Sequence, residues 1–271
     1  MSNLVKRILT ALIAGSIAVT AIVLSGYGIW VFGVVVSIAG LWEFWNLADI
    51  PKHYRWPTLA FAVFGWIGLL LESEGILPPG VSWNAYILVA PALGLLLLFQ
   101  GKEEKPIERM SEIILGMVYA YIPLVLLYKL SWVDGAYDFR IPLGLLIITW
   151  ALDVGAFFAG KWFGKKHLFP RISPKKTWAG SYGGAIMCLI IAGLLQYFPE
   201  TQEGISVPWI VSGMIIAVFG QWGDLIESMF KRSSKIKDSG SILPGHGGML
   251  DRFDGMYITI PILYLIFTFG F

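Results

Sequence analysis

"IPLGLLIITWALDVGAFFAG" (residues 141–160) is twenty residues long and carries one charge, Asp153. Twenty residues of α-helix rise about 30 Å, the hydrocarbon thickness of a bilayer. The apolar residues run on without the in-out alternation of a barrel strand, so this stretch predicts a membrane helix. The rest of the chain follows the same pattern. Its 271 residues are 56% hydrophobic and 14% charged, with a mean hydropathy of +0.71, which excludes an ordinary soluble domain. Further apolar runs lie at about 8–26, 27–48, 57–71, 83–100, 110–130, 178–198, 206–227 and 255–271. The fold class expected is an all-α integral membrane protein, a polytopic bundle of about nine transmembrane helices.

Residues 6–26, with Lys6 and Arg7 in front, have the outline of a signal peptide. The run is too long for one and lacks a small-residue cleavage site, so a retained first helix is expected. The chain divides into N-terminal helices (1–140) and a C-terminal set (141–271) that carries the two long loops, 161–177 and 231–254. Trp42, Trp45, Trp56, Trp83 and Trp132 near the helix ends read as an interfacial aromatic belt. Cys188, the single cysteine, excludes an intrachain disulfide. With the N-terminus placed in the cytoplasm, every Lys and Arg of the 20 except Lys129 and Arg140 falls inside. The positive-inside rule therefore predicts a cytoplasmic N-terminus and both long loops on the cytoplasmic face of a cell membrane, a bacterial inner membrane by expectation.

Four acids interrupt the apolar runs: Glu43, Asp153, Asp224 and Glu227. An ionisable group at membrane depth is costly and is usually paired or functional. All four lie toward the cytoplasmic ends of their helices, where a lipid headgroup and a soluble molecule can meet. Side chains so near the interface can also simply reach water, and that reading stays open for Glu43 and Glu227 most of all. The stretch "KRSSKIKDSGSILPGHGGMLDRFD" (231–254) follows, with eight charges and four glycines. Asp224 and Glu227 share a helix face with Ser228, and Asp251 and Asp254 are again three apart. Hard oxygen ligands from separate segments, without a Cys or His cluster, suit magnesium bound jointly by carboxylates and substrate phosphates. Lys231, Arg232, Lys237 and Arg252 offer charge-assisted donors, and Gly245, Gly247 and Gly248 let backbone approach a phosphate. In "SPKKTWAG" (173–180), Ser173, Lys175, Lys176 and Thr177 precede a helix, whose N-terminus favours anions. No Ser/His/Asp order or G-x-S-x-G elbow is present, and the charge inventory points to phosphoryl or nucleotidyl transfer.

Taken together, Ser228, Lys231-Arg232, Lys237-Asp238, His246-Gly247-Gly248, Asp251-Arg252 and Asp254 resemble the fingerprint of the phosphatidate cytidylyltransferases, or CDP-diacylglycerol synthases, at every fixed position. "DVGAFFAGKWFGKKHLFPRISPKKT" (153–177) is similar to a second stretch of that family. It departs at Ala179, just beyond, where relatives often carry Glu or Gln, so no role of that side chain transfers. The resemblance covers roughly 150–260, with Glu43 in "LWEFW" a weaker echo.

The resemblance implies an enzyme that joins CTP to phosphatidate in a lipid membrane, giving CDP-diacylglycerol and pyrophosphate. It implies Asp224 and Asp251 as Mg2+ ligands with Asp254 and Asp153 in support, and a second cation, K+, beside the first. It further implies catalytic roles for Lys237, Asp238, His246 and Arg252, and substrate binding by Ser173, Lys175, Lys176, Thr177, Ser228, Lys231, Arg232, Gly247 and Gly248. No nucleic acid partner is expected, and a homodimer is compatible with the resemblance. Two rivals remain at the level of sequence. A CTP-dependent polyisoprenol kinase would use similar parts under a different fingerprint. A membrane transporter would also explain acids in helices, although these acids gather at one face instead of tracing a path across.

Overall fold

The computed structural model describes residues 3–82, 88–100, 103–198, 208–242 and 247–270. The helices in chain order are α1 (Asn3–Leu24), α2 (Gly26–Leu47), α3 (Lys52–Ser73) and α4 (Val89–Gln100). They continue as α5 (Pro106–Leu130), α6 (Arg140–Phe163), α7 (Trp178–Tyr197), α8 (Trp209–Ser233) and α9 (Leu250–Phe269). Among the described residues two short antiparallel hairpins interrupt them, β1 (Trp132–Val133) with β2 (Ala136–Tyr137), and β3 (His167–Phe169) with β4 (Ser173–Thr177). Among the described residues, seven helices are long and apolar enough to cross a membrane, namely α2, α3 and α5 through α9. In α1 and α4 the described apolar stretches, Leu9–Leu24 and Val89–Phe99, are shorter.

Burial tells which helices form the centre. The spanning window of α5 is 72% buried, against 22% for α7 and 28% for α3, so α5 is wrapped by its neighbours and α7 and α3 leave broad faces on the outside of the bundle. The core runs through Leu41, Trp45, Trp66, Ile113, Tyr121, Ile148, Trp209, Leu250 and Leu263. Trp45 therefore belongs to the core and not to an interfacial belt. Trp56, 61% exposed, fits a belt position, and Trp83 lies outside the described residues. Cys188 is buried in α7, its thiol donating to Gly213 O at 3.2 Å.

Two backbone features position the site. The first is close packing of α6 on α7, where a Cβ on Gly155 would stand 2.6 Å from Met187 Cβ and 2.7 Å from Gly183 O. Small residues let these helices approach in the manner of membrane bundles. The second is the crossing of α8 and α9, where a Cβ on Gly223 would fall 2.9 Å from Gly255 Cα and against Asp254 O. This contact sets the acids of the two helices side by side. Just ahead of it, α8 widens into a π turn at Ile216–Gly220, a local unwinding that turns the following residues to a new face.

The polar ends of α8 and α9 extend past the apolar runs. Helix α8 continues to Ser233 and α9 begins at Leu250, so residues 231–233 and 250–254 are helical and the connecting loop is shorter than 231–254. Hydropathy marks only the part of a helix in hydrocarbon; no breaker intervenes before Lys235, which takes φ of 58°. Likewise α6 runs to Phe163, and β3 and β4 turn most of 164–177 into a hairpin.

Candidate metal and phosphate site

The last three turns of α8 carry Asp224, Glu227, Ser228 and Lys231, spaced so that all four fall on one face. Ser228 Oγ donates to Asp224 Oδ1 at 3.3 Å. The Gly223 crossing brings Asp254 of α9 to this face. Asp224, Glu227 and Asp254 each present an oxygen within 4.8 Å of the others. Glu227 is 1% exposed, and its Oε1 has no hydrogen-bond partner among the described residues. Its Oε2 accepts from Lys231 Nζ at 2.8 Å. Lys231 also donates to Asp251 Oδ1 at 2.5 Å, so a buried ammonium stands between two acids from two helices.

Asp251 is fully engaged. Its Oδ2 accepts from Gly248 N at 2.8 Å and from both N and Oγ of Ser239 at 3.0 Å. Gly247, at φ +84°, lies so close that a Cβ would stand 2.6 Å from the same oxygen, which accounts for the glycine there. Ser239 Oγ also reaches Glu43 Oε2 at 3.1 Å. Glu43, 2% exposed near the end of α2, accepts from Met249 N through Oε1 and from Leu250 N through Oε2, both at 2.9 Å.

Beside the acids lies a cavity of about 420 Å³ lined by Asp153, Lys161, Lys175, Lys176, Thr177 and Asp224, among others. Lys176 forms an ion pair with Asp224. Thr177 is the N-cap of α7, its hydroxyl accepting from Gly180 N at 3.1 Å, and Gln221 Nε2 donates to Ser181 O at 3.0 Å, tying α8 to α7. The cavity thus combines two carboxylates, three lysines and a helix N-terminus.

The structure brings together most of the residues singled out by sequence, though in different partnerships. Asp153, Lys175, Lys176, Thr177 and Asp224 share the cavity, and Ser173 sits in β4 opposite Phe169. Lys231 neutralises buried acids, and Arg232 donates to Ile172 O at 3.4 Å and Ile236 O at 3.0 Å, bracing the loop against the hairpin. Lys237, Asp238 and Arg252 are exposed. His246 and Gly245 lie outside the described residues, whereas Gly248 is buried against Ser239 and Glu43. Sequence reasoning singled out Glu227 by its i, i+3 spacing from Asp224 but left it out of the ligand set, and it passed over Ser239, since a lone serine in a polar loop offers no signal.

The donor set fits a magnesium ion. Three hard carboxylates converge, one with a buried oxygen that has no partner among the described residues, and ionised acids this close repel one another unless a cation joins them. Lys231 is shared with Asp251, so it offsets only part of that charge.

Comparison with known proteins agrees in extent as well as in kind. Residues 5–269 match the model of the cytidylyltransferase family. The chain is 33% identical over 266 residues to the phosphatidate cytidylyltransferase of Brucella suis, covering 98% of this chain and 93% of the relative. It is 30% identical over 275 residues to that of Bacillus subtilis, covering 98% of both. With the phosphatidate cytidylyltransferase of Staphylococcus haemolyticus it shares 32% identity over 260 residues, covering 96% of this chain and 97% of the relative. The match runs through the N-terminal helices as well as the acid-bearing C-terminal ones, and the chain belongs to the cytidylyltransferase family.

Proposed function

We propose that the protein is a phosphatidate cytidylyltransferase, joining CTP to phosphatidate to give CDP-diacylglycerol and pyrophosphate for phospholipid synthesis. The observation that carries this reading is the acid trio Asp224, Glu227 and Asp254 at the crossing of α8 and α9, next to a cavity lined with lysines. The relatives named above bear the same activity in their names.

In the proposed reaction a phosphate oxygen of phosphatidate attacks the α-phosphorus of CTP. The new P–O bond forms as the bond to the bridging β-phosphate oxygen breaks, and pyrophosphate leaves with the electron pair. A phosphomonoester has a second pKa of about 6 and is largely ionised at neutral pH, so no side chain has to act as general base. Catalysis is then positioning and charge neutralisation. Asp224, Glu227 and Asp254 would hold magnesium, which would supply charge neutralisation to the polyphosphate. Asp153 supports from the cavity wall, and Asp251 holds Lys231 and the loop; a potassium ion is the second cation of this proposal. Lys175, Lys176, Lys237 and Arg252 supply donors to the phosphates, and the 246–248 loop forms the nucleotide bed.

In this reading α1 and α4 also cross the membrane, giving nine spans with the N-terminus and the site on the cytoplasmic face of a bacterial inner membrane. A homodimer is compatible with it, and no step requires one. Single cysteines at Arg171 and Ala136, both exposed, test the orientation in a Cys188→Ser background. Cytoplasmic reagent should label the first and spare the second; equal labelling refutes the topology. Purified protein with magnesium, CTP and phosphatidate should release pyrophosphate, one per CDP-diacylglycerol, and lose activity in EDTA. CDP as the nucleotide product would place it with lipid kinases.

A further inference from the structure

We infer that Glu43 is a positioning residue for the site: from the N-terminal half of the chain, it fixes the start of α9 and, through Ser239, the orientation of Asp251. The inference deepens the cytidylyltransferase reading and rests on it for the meaning of turnover. A helix begins with backbone N–H groups that lack intrahelical partners, and a side chain of the N-cap residue normally satisfies one. Here the N-cap is Met249, which makes no side-chain cap hydrogen bond. Its N–H and that of Leu250 are taken instead by the two oxygens of Glu43, more than two hundred residues earlier. A negative charge at that point also complements the helix dipole of α9.

The carboxylate is enclosed on purpose-shaped backbone. A Cβ on Gly240 would stand 2.8 Å from Glu43 Cδ, and one on Gly248 would stand 2.7 Å from it. Both ends of the loop therefore close on Glu43, and each closes at a glycine. Ser239 Oγ, with a single proton, bridges Glu43 Oε2 at 3.1 Å and Asp251 Oδ2 at 3.0 Å. Glu43 thus sets Asp251, Asp251 holds Lys231, and Lys231 holds Glu227 of the acid trio. Glu43 belongs neither to the trio nor to the cavity lining, so it acts through others.

The test uses the full chain in detergent with Glu43→Gln, Glu43→Asp and Ser239→Ala. An amide nitrogen cannot accept from Met249 or Leu250 N–H, so Glu43→Gln should speed hydrogen exchange of a peptide covering 247–253 and leave peptides from α6 unchanged, with no substrate or metal present. Turnover per folded molecule should fall about 10- to 100-fold, the usual cost of losing a group that orients ligands. Half-maximal activity should also require more magnesium, while KM for phosphatidate stays near wild type. Glu43→Asp keeps the charge and should recover part of each effect. Ser239→Ala, which leaves both backbone caps intact, should raise the magnesium requirement without speeding exchange at Met249 and Leu250. If Glu43→Gln does not fold, the other two variants decide the matter. Unchanged exchange in Glu43→Gln, or an unchanged magnesium requirement in both carboxylate variants and Ser239→Ala, overturns the inference. Wild-type protein without cytidylyl transfer would instead overturn the functional reading, and the exchange result would still judge the role of Glu43 in the loop.

Discussion

Replacing Lys231 by Met separates two roles that the same lysine might have been given: holding a substrate phosphate, or neutralising buried acids. Its ammonium lies 2.8 Å from Glu227 Oε2 and 2.5 Å from Asp251 Oδ1, with side chains only 10%, 1% and 8% exposed. Solvent screening is slight at such burial. Removing one partner of a buried pair costs about 3–5 kcal/mol, because the charge left behind is uncompensated. By the scaling of soluble domains, that is a fall in Tm on the order of ten degrees. Thermal unfolding of the detergent-solubilised protein, followed by tryptophan fluorescence, measures it. The double variant Lys231→Met with Glu227→Gln should recover part of the loss, since one stranded charge is gone. A loss under about 1 kcal/mol in the single variant, well below that range, together with abolished CTP binding, would refute the counterion role and return Lys231 to phosphate binding.

Other outcomes follow from the same geometry. Asp224→Asn or Asp254→Asn should abolish turnover with the fold retained, and excess magnesium should not restore it; substantial activity in either would mean the ion is held elsewhere. Gly223→Ala places a methyl group against Asp254 O and Gly255 Cα, so it should cost about 1–3 kcal/mol and impair activity. Gly94→Ala, with nothing within 4 Å, should be close to neutral in unfolding assays. On the β1–β2 side, burial alone would raise the Asp138 carboxyl, but hydrogen bonds from the Arg140 guanidinium and backbone N–H outweigh it and hold the group below the usual range. The stability it contributes is therefore complete above about pH 4 and is lost as pH falls through the lowered value. The Tm gap between wild type and Asp138→Asn should stay constant near neutrality and shrink below about pH 4; a gap that widens on acidification would contradict the assignment.

Much of this fold was legible because the bilayer imposes a length on apolar runs, and α6 and α7 lie almost where the runs at 141–160 and 178–198 place them. The ends of α8 and α9 were not, since hydropathy falls off where a helix leaves hydrocarbon, although its backbone has no reason to stop. Within the site, Asp153 and Asp224 were legible as rare charges at membrane depth, and Lys176 as a cation just ahead of a helix N-terminus. Partnership was harder to read. Lys231 and Arg232 look like phosphate donors in a basic loop, and only the fold reveals the acids and carbonyls they face. Glu43 shows the limit most clearly: its target N–H groups lie beyond 200 positions away, and nothing in "LWEFW" specifies a cap for a helix that starts at Leu250.

The position of a radioactive label tests the central claim most directly. With phosphatidate, magnesium and CTP labelled at the α-phosphorus, the lipid fraction should become labelled; with the γ-phosphorus labelled, the label should appear in pyrophosphate and none in lipid. Transfer of the γ label to lipid with release of CDP, or recovery of both labels in unreacted CTP across several phosphatidate species, would contradict the account of α8, α9 and their connecting loop as a nucleotidyl-transfer site.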